Sequence, residues 1–446
     1  MKFCTTTLGC KVNQVETEAV ESVLISHGHE LVKLGDGCDV CVVNTCAVTA
    51  ESVRKSRQAV RRMRKLEPRA LIAVCGCLSQ LEEDDIKALE ADVIWGSGNR
   101  IGFALEIEEC YAKQCSALTD ADGKGDADND YIYKKKSKIN DPLKRGVFEE
   151  LPIGGSSGRT RAFLKVEDGC DNYCAYCIIP YARGAVRSLP IERAVEQAKK
   201  LQERGFREIV ITGIEISSYG KDLDGDMTII DAIRAISETA SNVRIRLGSL
   251  APSVFTEAFC KALSEIPNLC DHFHMSLQSG CDDTLDRMGR KYDSKTVLKS
   301  ISVLRGLFPN CGITADLIVG FPGETDDEFL QTIELIKKAK FSNMHIFPFS
   351  KRPGTRAANM PDQTTKAVRR SRARMAKDVA DAMMIDFLND QIGKNLKVLI
   401  EREDDGFWIG HSGNYLEVKI KNKAAKNELF DVYISEQENG RLLGKI

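Results

Sequence analysis

The stretch GCDNYCAYC, residues 169–177, carries Cys170, Cys174 and Cys177 in the spacing C-x3-C-x2-C. Just before it, RAFLKV (161–166) reads as a β-strand, so the three cysteines stand at the C-terminal mouth of a strand. From there to about residue 350 strands and amphipathic helices alternate. The strands are REIVIT (207–212), VRIRLG (243–248), HFHMSL (272–277), GITADLIV (312–319) and MHIFPF (344–349), with helical stretches such as 191–204 and 327–340 between them. Six strand–helix units predict a (β/α) barrel or partial barrel whose site lies at the C-terminal ends of its strands.

Three cysteines are one short of a closed structural metal site, and the next cysteine, Cys260, is far outside the loop. Structural zinc sites use paired knuckles and four ligands, and the loop holds no histidine. Thiolates are the usual ligands of iron–sulfur clusters. A [4Fe–4S] cube held by three cysteines keeps one iron open, and an open iron is a binding and redox site.

Upstream, residues 1–113 repeat the alternation of strand and helix. KFCTTTL (2–8), DVCVVNT (39–45), ALIAVCG (70–76) and DVIWGS (92–97) read as strands; 13–27 and about 49–65 read as helices, and LEEDDIKALE follows the third strand. This is the pattern of a doubly wound parallel sheet. Cys10, Cys46 and Cys77 each follow one of the first three strands. Loops after parallel strands share one edge of the sheet, where ligands bind, so three residues distant in sequence are expected to converge. Cys38 and Cys41 form a C-x2-C pair that could suggest zinc or thiol redox chemistry; Cys41 lies inside an apolar strand, and buried packing is the preferred reading. The remaining cysteines fall in regular segments or linkers and read as non-ligands.

Residues 116–155 break the pattern with ALTDADGKGDADNDY, KKKSK and the start of GGSSG, and read as a linker. Beyond about 395 the tail alternates apolar and polar residues in LKVLIE, YLEVKIK and DVYIS, the mark of a small antiparallel β-barrel of the kind that binds oligonucleotides. Two basic stretches, VRKSRQAVRRMRK (53–65) and KAVRRSRARMAK (366–377), stand out against a formal net charge of −2. They are either solvated faces or RNA contacts. Phe407, Trp408 and Tyr415 are either base-stacking residues or barrel core. Sixteen cysteines with no signal-peptide pattern and no long apolar run point to a cytoplasmic chain whose cysteines bind metal or react.

The motifs TLGCKVNQVETE, NTCAVT, CGCLSQ, GCDNYCAYCIIPYARG, SLQSG and DLIVGFPGET, in that order, resemble the radical S-adenosylmethionine (SAM) methylthiotransferases. The resemblance covers nearly the whole chain. TLGCKVNQ is most similar to the branch acting on N6-threonylcarbamoyladenosine beside the tRNA anticodon. It implies a cluster domain (1–115), a linker (116–155), a radical SAM partial barrel with C-terminal helices (156–390) and a TRAM-like RNA-binding β domain (391–446). It implies two [4Fe–4S] clusters: one on Cys170, Cys174 and Cys177 that binds SAM, one on Cys10, Cys46 and Cys77 that holds sulfur. Around SAM it implies Gly213, Gln278 and Phe347 at strand ends, with Tyr176 against adenine or against the barrel. Its partners would be tRNA and an unidentified one-electron donor, with no membrane. The rival expectations are action on isopentenyladenosine or on a ribosomal-protein aspartate, and a non-catalytic tRNA-binding redox sensor.

Overall fold

Val40-Cys41-Val42-Val43 and Leu71-Ile72-Ala73-Val74 are buried at every residue, which marks central strands covered by helices on both faces. The computed structural model describes residues 1–82, 86, 91–121, 136–154, 160–421 and 424–446. Two units are distinguished within it. The first holds residues 1–156, 168–172 and 177–187; the second holds 157–167, 173–176 and 188–446.

In the first unit the strands are β1 (Lys2–Thr7), β2 (Glu30–Leu31), β3 (Val40–Thr45), β4 (Leu71–Gly76), β5 (Val93–Trp95) and β6 (Lys136–Lys138). They form one sheet in the order β2-β1-β3-β4-β5-β6, and every neighbouring pair is parallel. Helices α1 (Lys11–Ser26), α2 (Ala50–Leu66), α3 (Cys77–Leu81), α4 (Arg100–Ala121) and α5 (Ile179–Arg183) belong to the same unit. Thr49 caps α2 by accepting from the Ser52 N–H, and Arg64 and Lys65 in its last turn suit the negative end of the helix dipole. The expected linker is not all linker. α4 runs on to Ala121, and Lys136–Lys138 is the edge strand beside β5. A lysine-rich strand is suited to an edge, where charge blocks further pairing; Lys138 also pairs with Glu106 at 2.7 Å. Most of LEEDDIKALE and GGSSG, and the acidic run from 122 on, lie outside the described residues.

In the second unit β7 (Arg161–Lys165), β8 (Glu208–Thr212) and β9 (Arg244–Leu247) form a parallel sheet in the order β9-β8-β7. β10 (Ser249–Leu250), β11 (His272–Gln278), β12 (Gly312–Val319) and β13 (Asn343–Pro348) form a second, in chain order. The expected third strand, 243–248, stops at Gly248, and the chain passes from one sheet to the other there. Amphipathic helices follow the strands, among them α6 (Ile191–Glu203), α7 (Ile229–Thr239), α8 (Glu257–Ser264), α9 (Asp282–Met288), α10 (Ser294–Leu307) and α11 (Asp326–Ala339). The chain is thus a mixed α/β protein built on parallel sheets. No described helix is long and apolar enough to cross a membrane.

After α12 (Lys366–Asn389), β14 (Asn395–Asp404), β15 (Phe407–Ser412), β16 (Glu417–Ile420), β17 (Leu429–Glu438) and β18 (Arg441–Lys445) close into a barrel in the order β14-β15-β16-β18-β17. The expectation of a purely antiparallel barrel is corrected at one seam: β16 and β18 are parallel. Five strands cannot alternate direction all the way round a ring, so one pair must run the same way. The barrel is seated by arginines from β9. Arg246 Nη1 and Nη2 donate to the carbonyls of Gly413 and Ser412 at 2.8 and 3.0 Å, and Arg244 Nη2 to that of His411 at 2.9 Å. Both guanidinium groups also bond Glu208. Burial works against the Glu208 anion, but Arg246 and Arg244 outweigh it and bring its pKa down to about 2 from 4.5. Tyr415 stacks on His272 and lies under Arg246, with centroid distances of 4.7 Å to each. Its ring therefore serves this seat, a role that the sequence reading did not separate from RNA stacking.

Two outcomes follow from the seat. Arg246→Met strands Glu208 against a single guanidinium and should cost about 3–5 kcal/mol, read as a lower urea midpoint and faster proteolysis between α12 and β14. Because Glu208 has a depressed folded pKa, its contribution is complete above about pH 4.5 and fades as pH falls toward 2. A tail no more protease-sensitive in the variant than in the parent would contradict this.

Candidate functional site

Cys10 caps the start of α1 after β1, Cys46 follows β3, and Cys77 opens α3 directly after β4. The strands are parallel, so all three residues stand at one sheet edge. Gly9 adopts φ +102°, and a Cβ there would lie 2.9 Å from both Cβ and Sγ of Cys46. Only glycine lets the Cys10 turn pass so close. Cys10 and Cys46 both lie near enough to Cys77 to act on its thiol electrostatically. Cys46 and Cys77 are buried and Cys10 is exposed. Burial pushes the Cys77 thiol up to about 12, and the nearby Arg183 cation pulls the other way.

Arg183, at the end of α5, is fully buried and is the centre of this edge. Its Nη1 donates to Glu16 Oε1 at 2.7 Å and to Asp168 Oδ1 at 2.9 Å; its Nη2 donates to Asn13 Oδ1 at 2.8 Å. Asn13 in turn donates to the carbonyls of Leu8 and Thr45 at 2.7 and 3.1 Å, which ties the loops after β1 and β3 together. Arg100 Nη2 bonds the other oxygen of Glu16 at 2.9 Å. Burial disfavours the Arg183 charge, but Glu16, Cys77 and Asp168 outweigh it and hold the guanidinium firmly protonated. A buried cation beside deprotonatable thiols fits a group held by thiolates. Among the described residues, the groups whose ligand atoms crowd closely enough for one ion do not include Cys10, Cys46 and Cys77. In a four-iron cube each thiolate takes its own iron, so wider spacing suits a cube better than a single zinc.

The loop of the second triplet begins at Gly169, φ +85°, where a Cβ would lie 1.9 Å from the Ala185 carbonyl oxygen. The Cys170 N–H donates to the Gly184 carbonyl at 3.0 Å. In the second unit Arg290 Nη1 stands 3.2 Å from Cys174 Sγ. Arg290 Nη2 donates to Ser276 Oγ at 3.1 Å, and Nε to the Tyr292 hydroxyl at 2.9 Å. Burial again works against the charge, and Tyr176, Tyr292 and Cys174 outweigh it. Tyr176 lies edge-on to Phe321 at 6.5 Å and packs on a small core with Ala175, Met288 and Phe349.

The other expected SAM neighbours lie at strand ends of the second unit. Gly213 follows β8, and a Cβ there would meet Glu167 Oε2 at 2.5 Å. The same oxygen accepts from the Glu215 N–H at 2.7 Å. Gln278 ends β11 with φ +66°, an uncommon conformation for a non-glycine residue and one that collects at functional sites. Phe347 on β13 is exposed. Beside it the sequence reading missed a cluster on adjacent strands. Asp316 accepts from His345 Nδ1 at 3.1 Å and pairs with His274 Nε2 at 3.3 Å. Burial opposes the Asp316 anion, but the hydrogen bonds from His274 and His345 outweigh it and hold the carboxyl well below its usual range. Arg183 and Arg290 were missed too. Each is a single arginine downstream of its cysteines, in PYARG and GRKY, with no local feature to set it apart from surface cations.

The basic stretches divide on inspection. In α2, Arg57 pairs with Glu82 and Arg64 with Asp92, while Arg61, Arg62 and Lys65 are exposed. In α12, Arg372 is buried on Glu324 and Asp326, and Arg369 donates to the Phe349 carbonyl; Lys366, Arg370 and Arg374 are exposed.

A double-mutant cycle on Glu16→Gln and Arg183→Met should return a coupling well above 0.5 kcal/mol, since the two are in contact and buried, with about 3–5 kcal/mol lost in the Arg183 variant alone. Additive losses would remove Arg183 from its central place.

Residues 164–336 match the family model of the radical SAM superfamily, and residues 2–96 match that of an uncharacterized protein family, UPF0004. The threonylcarbamoyladenosine tRNA methylthiotransferase MtaB of Bacillus subtilis is 34% identical over 93% of this chain and 89% of its own length. That of Thermotoga maritima is 36% identical over 89% and 85%. A tRNA-2-methylthio-N(6)-dimethylallyladenosine synthase of Thermoanaerobacter is 32% identical over 89% and 81%. Among solved structures, the radical S-adenosylmethionine methyltransferase TsrM of Kitasatospora setae has a similar fold, with a TM-score of 0.52, 13% identity and coverage of 80% of this chain and 76% of that one. With relatives of this similarity along almost its full length, the chain belongs to the radical SAM methylthiotransferase family.

Proposed function

We propose that the protein replaces the C2 hydrogen of N6-threonylcarbamoyladenosine, next to the tRNA anticodon, with a methylthio group. The observation that carries this reading is the near full-length similarity to the two MtaB proteins, whose names specify that nucleoside. The aromatic C–H to be replaced is unactivated, so the reaction calls for radical chemistry.

Cys170, Cys174 and Cys177 would hold one [4Fe–4S] cluster, and Cys10, Cys46 and Cys77 a second. When bound, the clusters and SAM supply one-electron cleavage of SAM at the first site and a place for sulfur at the second. The residues of this chain do the rest. Arg290, half-buried at Cys174, and Arg183, fully buried near Cys77, place one positive charge against each thiolate set. This favours the thiolate form that iron requires. Gly213 keeps the end of β8 clear of side-chain bulk beside Glu167, and the left-handed turn at Gln278 would shape the rim that borders SAM. Phe347 offers an exposed ring on the same strand-end side. Residues 391–446, read as a TRAM-like domain, would meet tRNA together with Arg61, Arg62, Lys366, Arg370 and Arg374. The one-electron donor is a separate reductant.

The test is made on anaerobically reconstituted protein. It should hold about eight irons, two cubes of four. Replacing Cys10, Cys46 and Cys77 together by alanine should halve the iron and preserve SAM cleavage to 5′-deoxyadenosine. No methylthio product should appear in digested tRNA nucleosides. Methylthiolation by that variant, or about four irons in the parent, overturns the division between the triplets. Removing residues 395–446 should weaken tRNA binding while sparing SAM cleavage; equal affinity would refute the RNA role of the tail.

A further inference from the structure

Cys4 lies in β1 and faces Cys41 in β3, its partner across the parallel ladder. Their sulfurs are 3.4 Å apart. Cys38, in the loop leading into β3, brings a third sulfur, and all three lie within 4.8 Å of one another. All three residues are buried, Cys38 at 7% exposure and so nearest to solvent. The loop that carries Cys38 is fixed from outside. The Gly35 and Gly37 N–H groups donate to Glu67 Oε1 at 3.0 and 3.2 Å, and the Glu67 carboxylate also stands beside the Cys38 thiol.

This group is separate from the Cys10, Cys46 and Cys77 edge. Cys41 and Cys46 are five residues apart on one extended run, which at about 3.3 Å per residue is roughly 16 Å. The three sulfurs sit toward the N-terminal ends of the strands, and the predicted cluster ligands sit past the C-terminal ends.

The spacing is that of ligands around one ion. Zinc–sulfur bonds of about 2.3 Å at tetrahedral angles set sulfurs about 3.8 Å apart. The observed contact and the outer limit bracket that value, whereas a four-iron cube spreads its thiolates over separate irons. We propose that Cys4, Cys38 and Cys41 form a site for a single thiophilic divalent ion, zinc being the fitting one, with Glu67 as the adjacent oxygen donor for the fourth position. Binding releases the thiol protons to solvent and leaves three thiolates on the ion. The ion clips the 33–38 loop to β1 and β3 and has no part in the redox chemistry. The proposal does not depend on the reaction assigned above.

The experiment reconstitutes the full-length protein with iron and sulfide, adds one equivalent of zinc, desalts, and counts both metals by mass spectrometry. The expected result is about one zinc per chain, retained when Cys10, Cys46 and Cys77 are replaced together. Cys38→Ser and Cys41→Ser should each bring zinc to background with iron unchanged. Cys38→Ser lies nearest the surface and guards against a folding defect in the Cys41 variant. Cadmium in place of zinc should likewise be retained at about one per chain in the iron-loaded protein and fall to background in both serine variants. Zinc at background in the parent overturns the proposal, as does a Cys4–Cys41 disulfide in anaerobic protein. So does loss of iron in either serine variant, which would assign these thiols to a cluster. Iron content and zinc content are read separately, so failure here leaves the two-cluster reading to its own test.

Discussion

The Arg183 guanidinium, wholly buried between Glu16, Asp168 and Asn13, is the constraint on which the first unit's functional edge depends. It comes from the segment immediately after the 170–177 loop, and through Asn13 it reaches the carbonyls that end β1 and β3. Burial of one charge among carboxylates is costly unless the geometry is satisfied on every side. Here Arg100 bonds the second oxygen of Glu16 and sets two cations against that carboxylate, although the Nε of both arginines is buried without a hydrogen-bond partner. The network fixes where the loops of Cys10 and Cys46 stand, because moving either would strip the buried Asn13 amide of a carbonyl acceptor.

The same device recurs at the second triplet in smaller form. Arg290 is held by Ser276 and Tyr292 and turned toward Cys174. Thiolate groups carry negative charge that an apolar interior resists, as the raised Cys77 thiol makes plain. A cation of fixed position answers that resistance without water. The barrel seat uses arginine differently: Arg244 and Arg246 bridge Glu208 to backbone carbonyls and so join the barrel to the strand layer. Arginines at three places thus do three jobs, and only their partners distinguish them.

Much was legible beforehand. The alternation of strand and helix, the parallel sheets and the placement of Cys10, Cys46 and Cys77 after successive strands follow from periodicity, because a buried parallel strand must be apolar on both faces. Other elements were not legible. Lys136–Lys138 reads as linker because an edge strand needs no apolar pattern, and its identity comes from pairing with β5. The basic runs in α2 and α12 looked uniform, yet Arg372 is buried and Arg370 is exposed. Tyr415 read as a base-stacking residue or core; its packing under Arg246 appears only in the tertiary structure.

What the sequence by itself determined is the local and periodic part: strand and helix positions, the two cysteine triplets, and the family signature in the motifs around them. These depend on neighbours in the chain, and neighbours can be read in order. What only the tertiary structure decided is which charged side chains are buried and with whom. Arg183 meets Glu16 across 167 residues, and Arg290 meets Cys174 across 116. The three sulfurs of Cys4, Cys38 and Cys41 meet only because β1 and β3 are paired. Such contacts depend on how separate elements pack, and no short window of sequence contains both partners.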